Sequence, residues 1–195
     1  MTLRAAPFAR ILLSSLLCAA APVGAGTIVD AATAIETRIA AADMDGAMAA
    51  ARALFADVWA ASPKLGFSQS LLVAEAATGY GVYNPRSDNL FKKDDPILLY
   101  CEPFGFAYGA PGEGLFSIGF IVDLQVLDAS GAELANVPDV TELDLTSRFQ
   151  NKEFQANITY NLGGIQPGRY TLVTTLRDKN STKSGAFQTS IEIVE

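Results

Sequence analysis

Apolar and polar residues alternate strictly along several stretches of this chain. Phe116, Ile118, Phe120, Val122, Leu124 and Val126 are interleaved with Ser117, Gly119, Asp123 and Gln125. Phe154, Ala156, Ile158, Tyr160 and Leu162 alternate with Gln155, Asn157, Thr159 and Asn161, and Phe187, Thr189, Ile191 and Ile193 repeat the pattern near the C-terminal end. A period of two sends successive side chains to opposite faces, so each stretch predicts a strand with one face on a core and one in water. Weaker alternation predicts further strands over 67–74, 97–108, 140–149 and 170–177. The polar links at 128–131 and 178–182 have the composition of hairpin loops. About seven strands separated by turn signals predict a mainly β fold, an antiparallel sandwich.

Upstream the period is helical. Ile28, Ala32, Ile35, Ile39 and Ala42 recur at spacings of four and three, with Asp30 as the expected cap. The run Asp43-Met44-Asp45-Gly46 breaks this pattern and can cap a second helix, in which Met48, Ala51, Phe55, Val58 and Trp59 share a face. Ser62-Pro63 ends it. The apolar stripe is narrow and the other faces are mostly alanine, so the pair is expected to lie against a sheet or a partner. The resulting division is a helical lead over 26–62 and a β-sandwich over 63–195.

The first 25 residues follow neither pattern. Arg4 and Arg10 precede an apolar run over 11–21, and Val23-Gly24-Ala25 places small residues ahead of a cleavage point. This is the arrangement of a secretory signal peptide, too short to span a bilayer comfortably. Leu17 before Cys18 suits lipid attachment poorly. The expected location is periplasmic or secreted, and the alanine-rich composition suggests a bacterial source. Cleavage would remove Cys18 and leave Cys101 as the only thiol, so no disulfide could form within the mature chain. Cys101 follows Ile97-Leu98-Leu99-Tyr100 and is expected to be buried and inert. About 170 residues suffice for a hydrophobic core.

Charge and composition narrow the chemistry. A formal net charge of −7 and the lack of a basic stripe argue against nucleic acid as a partner. The chain has no histidine, which removes Ser-His-Asp and Cys-His catalysis and histidine-ligated metals. It has no P-loop and no strand-linked dinucleotide fingerprint. No cofactor and no metal site is expected.

The segment Gly163-Gly164-Ile165-Gln166-Pro167-Gly168-Arg169-Tyr170-Thr171-Leu172 carries a pattern. An apolar residue, Pro-Gly, then Tyr-x-Leu entering a strand resembles the corner of bacterial immunoglobulin-like and fibronectin-type-III-like modules. The resemblance covers roughly 95–195. It implies that Pro167 and Gly168 form a structural corner, and that Tyr170 hydrogen-bonds back to nearby backbone while its ring fills the core. Such sandwiches host many functions, so the resemblance speaks to fold and not to activity. The cysteine pair of antibody-type domains is absent, and the single tryptophan, Trp59, lies in the helical lead.

Carboxylate catalysis needs only two acids at the right separation. Asp94 with Asp95, Glu142 with Asp144, and Glu102 with Asp123 are the pairs to weigh. Asp94-Asp95-Pro96 reads as a turn, and the others as solvated positions. Asp43-x-Asp45-Gly46 resembles the opening of a calcium loop, but Ala51 and Leu54 stand where ligands should follow, so helix capping is the better reading. Tyr80, Tyr83, Arg86, Asn89 and Phe91, in a Gly- and Pro-containing segment that reads as loop, are residue types enriched at recognition surfaces. Tyr100, Glu102, Phe104, Phe106 and Tyr108 share one face of a predicted strand, as a cover for the sandwich or a bed for the helices. The expectation that emerges is a non-catalytic exported protein that presents a surface to a protein or envelope partner. The competing readings are a carboxylate-dependent enzyme acting on envelope polysaccharide and a calcium-stabilised adhesion domain.

Overall fold

The computed structural model describes residues 25–195, and the expected signal segment up to residue 24 lies outside the described residues. Helices α1 (Ala25–Ala40) and α2 (Met44–Ala61) lead the chain, followed by β1 (Gly66–Leu72), β2 (Leu90–Lys92), β3 (Ile97–Phe104) and β4 (Phe116–Asp128). Then come β5 (Glu133–Ser147), β6 (Ala156–Tyr160), β7 (Gly168–Asp178) and β8 (Ser184–Val194). Among the described residues no helix is long and apolar enough to cross a membrane.

Asp30 does not cap α1, because the helix begins five residues earlier, at Ala25. The apolar spacing already starts at Ile28, so the helical repeat runs through Asp30 rather than from it. At the other end the Ala42 amide donates to Ile39 O (3.0 Å) and the Asp43 amide to Arg38 O (2.9 Å), with Ala42 left-handed at φ 59°. This pair of bonds closes the helix. Asp43 does cap α2: its carboxylate accepts from the Gly46 amide at 3.0 Å and pairs with Arg38 at 2.7 Å.

The strands form two sheets, one ordered β1-β3-β6 and one ordered β2-β8-β7-β4-β5. All pairs are antiparallel except β2 with β8, which is parallel with Phe91 opposite Ile193. That corrects the wholly antiparallel expectation. The three-residue β2 lies in the segment read as loop, where Gly, Pro and Asn mask so short a strand. β5 starts at Glu133 rather than 140, since Pro138 and the left-handed Asp139 interrupt its alternation. As β5 pairs only with β4 and sits at the sheet's edge, a proline there is tolerated.

The core lies between the sheets and is built as the alternation requires. Ile97, Leu99 and Cys101 of β3 and Ile158 and Tyr160 of β6 meet Phe120, Val122, Leu172, Leu176 and Ile191. A buried hydrogen bond crosses between the sheets, from Tyr160 Oη to Thr174 Oγ1 at 3.0 Å. Cys101 is fully buried, and burial pushes its thiol up to about 12. Tyr170 donates to Gln166 O at 2.7 Å while its ring packs against the core.

Candidate functional site

The outer face of the β1-β3-β6 sheet does not face water. After β1 the chain makes an excursion over residues 73–89, and Val73, Ala77 and Tyr83 close over Tyr100. The Tyr83 and Tyr100 rings lie 4.4 Å apart. Asn157 of β6 clamps the excursion, accepting from the Ala77 amide and donating to its carbonyl, each at 2.9 Å. Beneath it runs a hydrogen-bond chain. The Gly81 amide donates to Tyr100 Oη (2.7 Å), which donates to Glu102 Oε1 (2.5 Å), while Ser68 Oγ donates to Oε2 (2.8 Å). Glu102 is 5% exposed and Tyr100 fully buried. Burial, and then Glu102, raise the Tyr100 phenol above its usual range.

Beside this covered face α2 docks on one indole. Trp59 Nε1 donates to Phe106 O at 2.8 Å, and its ring meets the rings of Phe106 (4.9 Å), Phe55 (5.7 Å) and Phe104 (6.5 Å) edge-on. The strand expected to continue to Tyr108 ends at Phe104, because Gly105 turns left-handed at φ 82°. Phe106 therefore swings into the core, and the expected aromatic face is split. A side chain on Gly105 would collide with Ser62 and the Lys64 carbonyl, so the α2–β1 link fits against the sheet only over a glycine.

This geometry leaves a cleft of about 640 Å³ between α2 and the outer side of β1 and β3. Phe55, Val58, Trp59, Tyr80 and Phe104 form its walls, with Ser62, Ser68, Lys152 and Glu153 at the margins. Phe55 is 51% exposed and Val58 48%. A concave, mainly aromatic surface of this volume, with few polar groups, is the form of a ligand site. The larger depression, about 780 Å³, lies at the 128–131 turn and is lined by polar groups with partners of their own, such as the Arg169–Glu192 pair at 3.1 Å. Leu127, Tyr170 and Ile191 also line it, but polar and apolar groups share its surface about equally, so it is the less apolar of the two.

The expected binding segment is only partly at this site. Tyr80 lines the cleft. Tyr83 is half-buried over Tyr100, and Asn89 is tied to β8, its side chain donating to Ser190 O and its carbonyl accepting from Glu192. Arg86 lays its guanidinium 4.3 Å over the Phe91 ring and pairs with Asp88 at 3.0 Å. Phe91 is no surface residue: it is buried in the core, because β2 adds to the edge of the larger sheet. Four of the five residues thus hold the excursion and β2 in place.

Glu102 and Asp123 lie in different sheets, and at least one carboxylate of each candidate pair is engaged in structural contacts. Glu102 is enclosed by Tyr100 and Ser68, whereas Asp123, in the other sheet, is gripped by both nitrogens of the Arg177 fork at 2.8 and 3.0 Å. Glu142 and Asp144 share Lys179, and Asp95 caps a turn by accepting from the Lys92 amide. Among the described residues no group of three or more acids or cysteines could hold a metal ion.

No protein-family model matches this sequence, and no curated protein matches it. Among solved structures the chain is similar to the Pseudomonas fluorescens alkylpurine DNA glycosylase AlkC bound to DNA containing an abasic site analog. The identity is 11% over 68% of this chain and 31% of that one, with a TM-score of 0.35. It is similar at 11% identity to a family 123 glycoside hydrolase from Clostridium perfringens, over 68% of this chain and 28% of that one, with a TM-score of 0.36. For Spo0M, a sporulation control protein from Bacillus subtilis, the identity is 12%, the shares are 68% and 49%, and the TM-score is 0.32. The chain spans less than half the length of each, and scores this low carry no argument about fold or function.

Proposed function

We propose that this chain is a non-catalytic exported binding protein whose working surface is the aromatic cleft between α2 and the β1-β3-β6 sheet. The observation that carries the reading is the cleft itself: Phe55, Val58 and Phe104 stay exposed around a concave opening. Large apolar side chains gathered in one concave patch mark interaction sites. Export is supported by the basic, apolar and small-residue order of the first 25 residues. The non-catalytic part is supported by the carboxylates, each candidate pair of which is dispersed or engaged structurally.

We infer further that the sandwich is immunoglobulin-like. Its strand order supports this: β1, β3 and β6 match the A, B and E positions, and β8, β7, β4 and β5 the G, F, C and C′ positions. The Tyr170–Gln166 hydrogen bond supports it too, as a tyrosine reaching back to backbone before the F-position strand.

The binding reading is tested with a neutral apolar fluorophore, Nile red, and variants of the cleft wall. Val58→Asp and Phe104→Asp alter exposed side chains and leave the core intact. Saturable binding by the unaltered protein, weakened at least about tenfold in both variants, is the expected result. Equal affinity in all three proteins would contradict it.

A further inference from the structure

The apolar wall of the cleft ends at a cation. Lys152 lines both the 640 Å³ cleft and a neighbouring hollow of about 530 Å³ that includes Asp57, Tyr108 and Lys183. Its ammonium lies 4.8 Å from the centre of the Trp59 ring and 4.7 Å from that of Tyr108, and donates to Tyr108 Oη at 3.1 Å. Lys152 belongs to no ion pair among the described residues, which it shares with Arg52, Lys64, Lys92, Lys93 and Arg148, but those five are exposed to water. It is half-buried, and burial draws its pKa below the ordinary lysine range. Two ring faces and one phenol compensate such an ammonium incompletely. Glu153 and Asp57 line the hollows on either side without pairing with it. Lys183 is already engaged, donating to Gly105 O at 2.8 Å.

We propose that the cleft binds a single-chain amphiphile with an anionic head, a long-chain carboxylate, its tail on Phe55, Val58, Tyr80 and Phe104 and its head on Lys152 Nζ. The inference rests on the reading of this cleft as the binding surface and names its ligand class. Charge complementarity selects the head: the rim's cation, Lys152, is half-buried against two rings, whereas the rim's carboxylate, Glu153, is exposed and screened by water. The trough's own polar groups argue against a peptide, whose backbone would need hydrogen-bond partners along its length. Ser62 Oγ is spent on Lys64 O and Ser68 Oγ on Glu102. A net charge of −7 argues against an anionic bilayer surface.

The test displaces Nile red from the purified protein with dodecanoate below its micelle concentration and with dodecan-1-ol below its solubility limit, and follows Trp59, the single tryptophan, in parallel. Dodecanoate should compete about tenfold more tightly than the alcohol, the difference made by one charge-assisted contact. Decanoate should be weaker than dodecanoate by about tenfold, as two methylenes leave the apolar wall. Lys152→Gln should bring acid and alcohol to the same affinity, and Lys152→Arg should keep the acid's advantage. Equal competition by acid and alcohol in the unaltered protein overturns the proposal without recourse to any variant, as does a preference that survives in Lys152→Gln. Nile red binding that dodecanoate fails to displace overturns the proposal while the cleft remains a binding surface. Failure of Nile red to bind at all removes that reading, and the proposal with it.

Discussion

The indole N–H of Trp59 donates to the carbonyl of Phe106 at 2.8 Å, across 47 residues, and this buried bond joins the helical lead to the β-sheets. The same ring lines the cleft, so docking of α2 and construction of the site are one event. Trp59→Phe keeps most of the ring contacts but strands the Phe106 carbonyl. Leaving a buried acceptor unpaired should lower stability by about 1–3 kcal/mol in urea unfolding. An unchanged midpoint would show that α2 is held by other contacts.

The excursion over 73–89 is predicted to depend on one phenol. Tyr100→Phe removes the oxygen that serves both the Gly81 amide and Glu102. It should cost about 1–3 kcal/mol and speed hydrogen exchange at amides 77–82 more than at β4 or β7. Uniform acceleration throughout both sheets would mean that the excursion and the sheets open together.

Asp123 gives the fold part of its acid sensitivity. The Arg177 guanidinium beside it, and then the Asp139 amide, hold its carboxyl below the usual range. The folded value is thus below the unfolded one of about 3.9, and the contribution is present above about pH 4. It is lost as pH falls through the depressed folded value. The unaltered protein should therefore lose Tm more steeply than Asp123→Asn below about pH 4. Parallel curves would place the acid sensitivity elsewhere.

Cys101 should be inert in the native state. Its thiol is buried between the sheets and pushed up to about 12 by burial. A thiol reagent such as dithionitrobenzoate should react about as slowly as the protein unfolds at neutral pH, and promptly in denaturant. Prompt native reaction would mean that the sheets separate locally at β3.

Much of this architecture was legible as alternation. The inward rows on β4, β6 and β8 fall on the residues that the period of two selects, and Asp43 caps α2 as its spacing requires. Tyr170 was legible through a local pattern, Pro-Gly before Tyr-x-Leu, whose hydrogen bond closes over four residues. The site was not legible, because it is assembled from distant segments. Phe55, Val58 and Trp59 read as an apolar helix face and Phe104 as part of an aromatic row, but nothing local brings them together. Lys152 carried no signal: a lysine in a polar link acquires meaning only when it lies over Trp59 and Tyr108. Phe91 misled for a related reason. A three-residue parallel strand has no alternation to display, and its aromatic reads as loop until β8 lies beside it.

The central claim is that ligand binds at the cleft beside Trp59, and amide chemical-shift mapping during titration with dodecan-1-ol tests it most directly. The neutral alcohol reports the apolar surface whatever the head group of the natural ligand. The largest shifts should fall on Val58, Ser68, Tyr80, Phe104 and Lys152, together with the Trp59 indole. Shifts concentrated instead at 128–131 and 188–192, around the larger depression at the 128–131 turn, would contradict it.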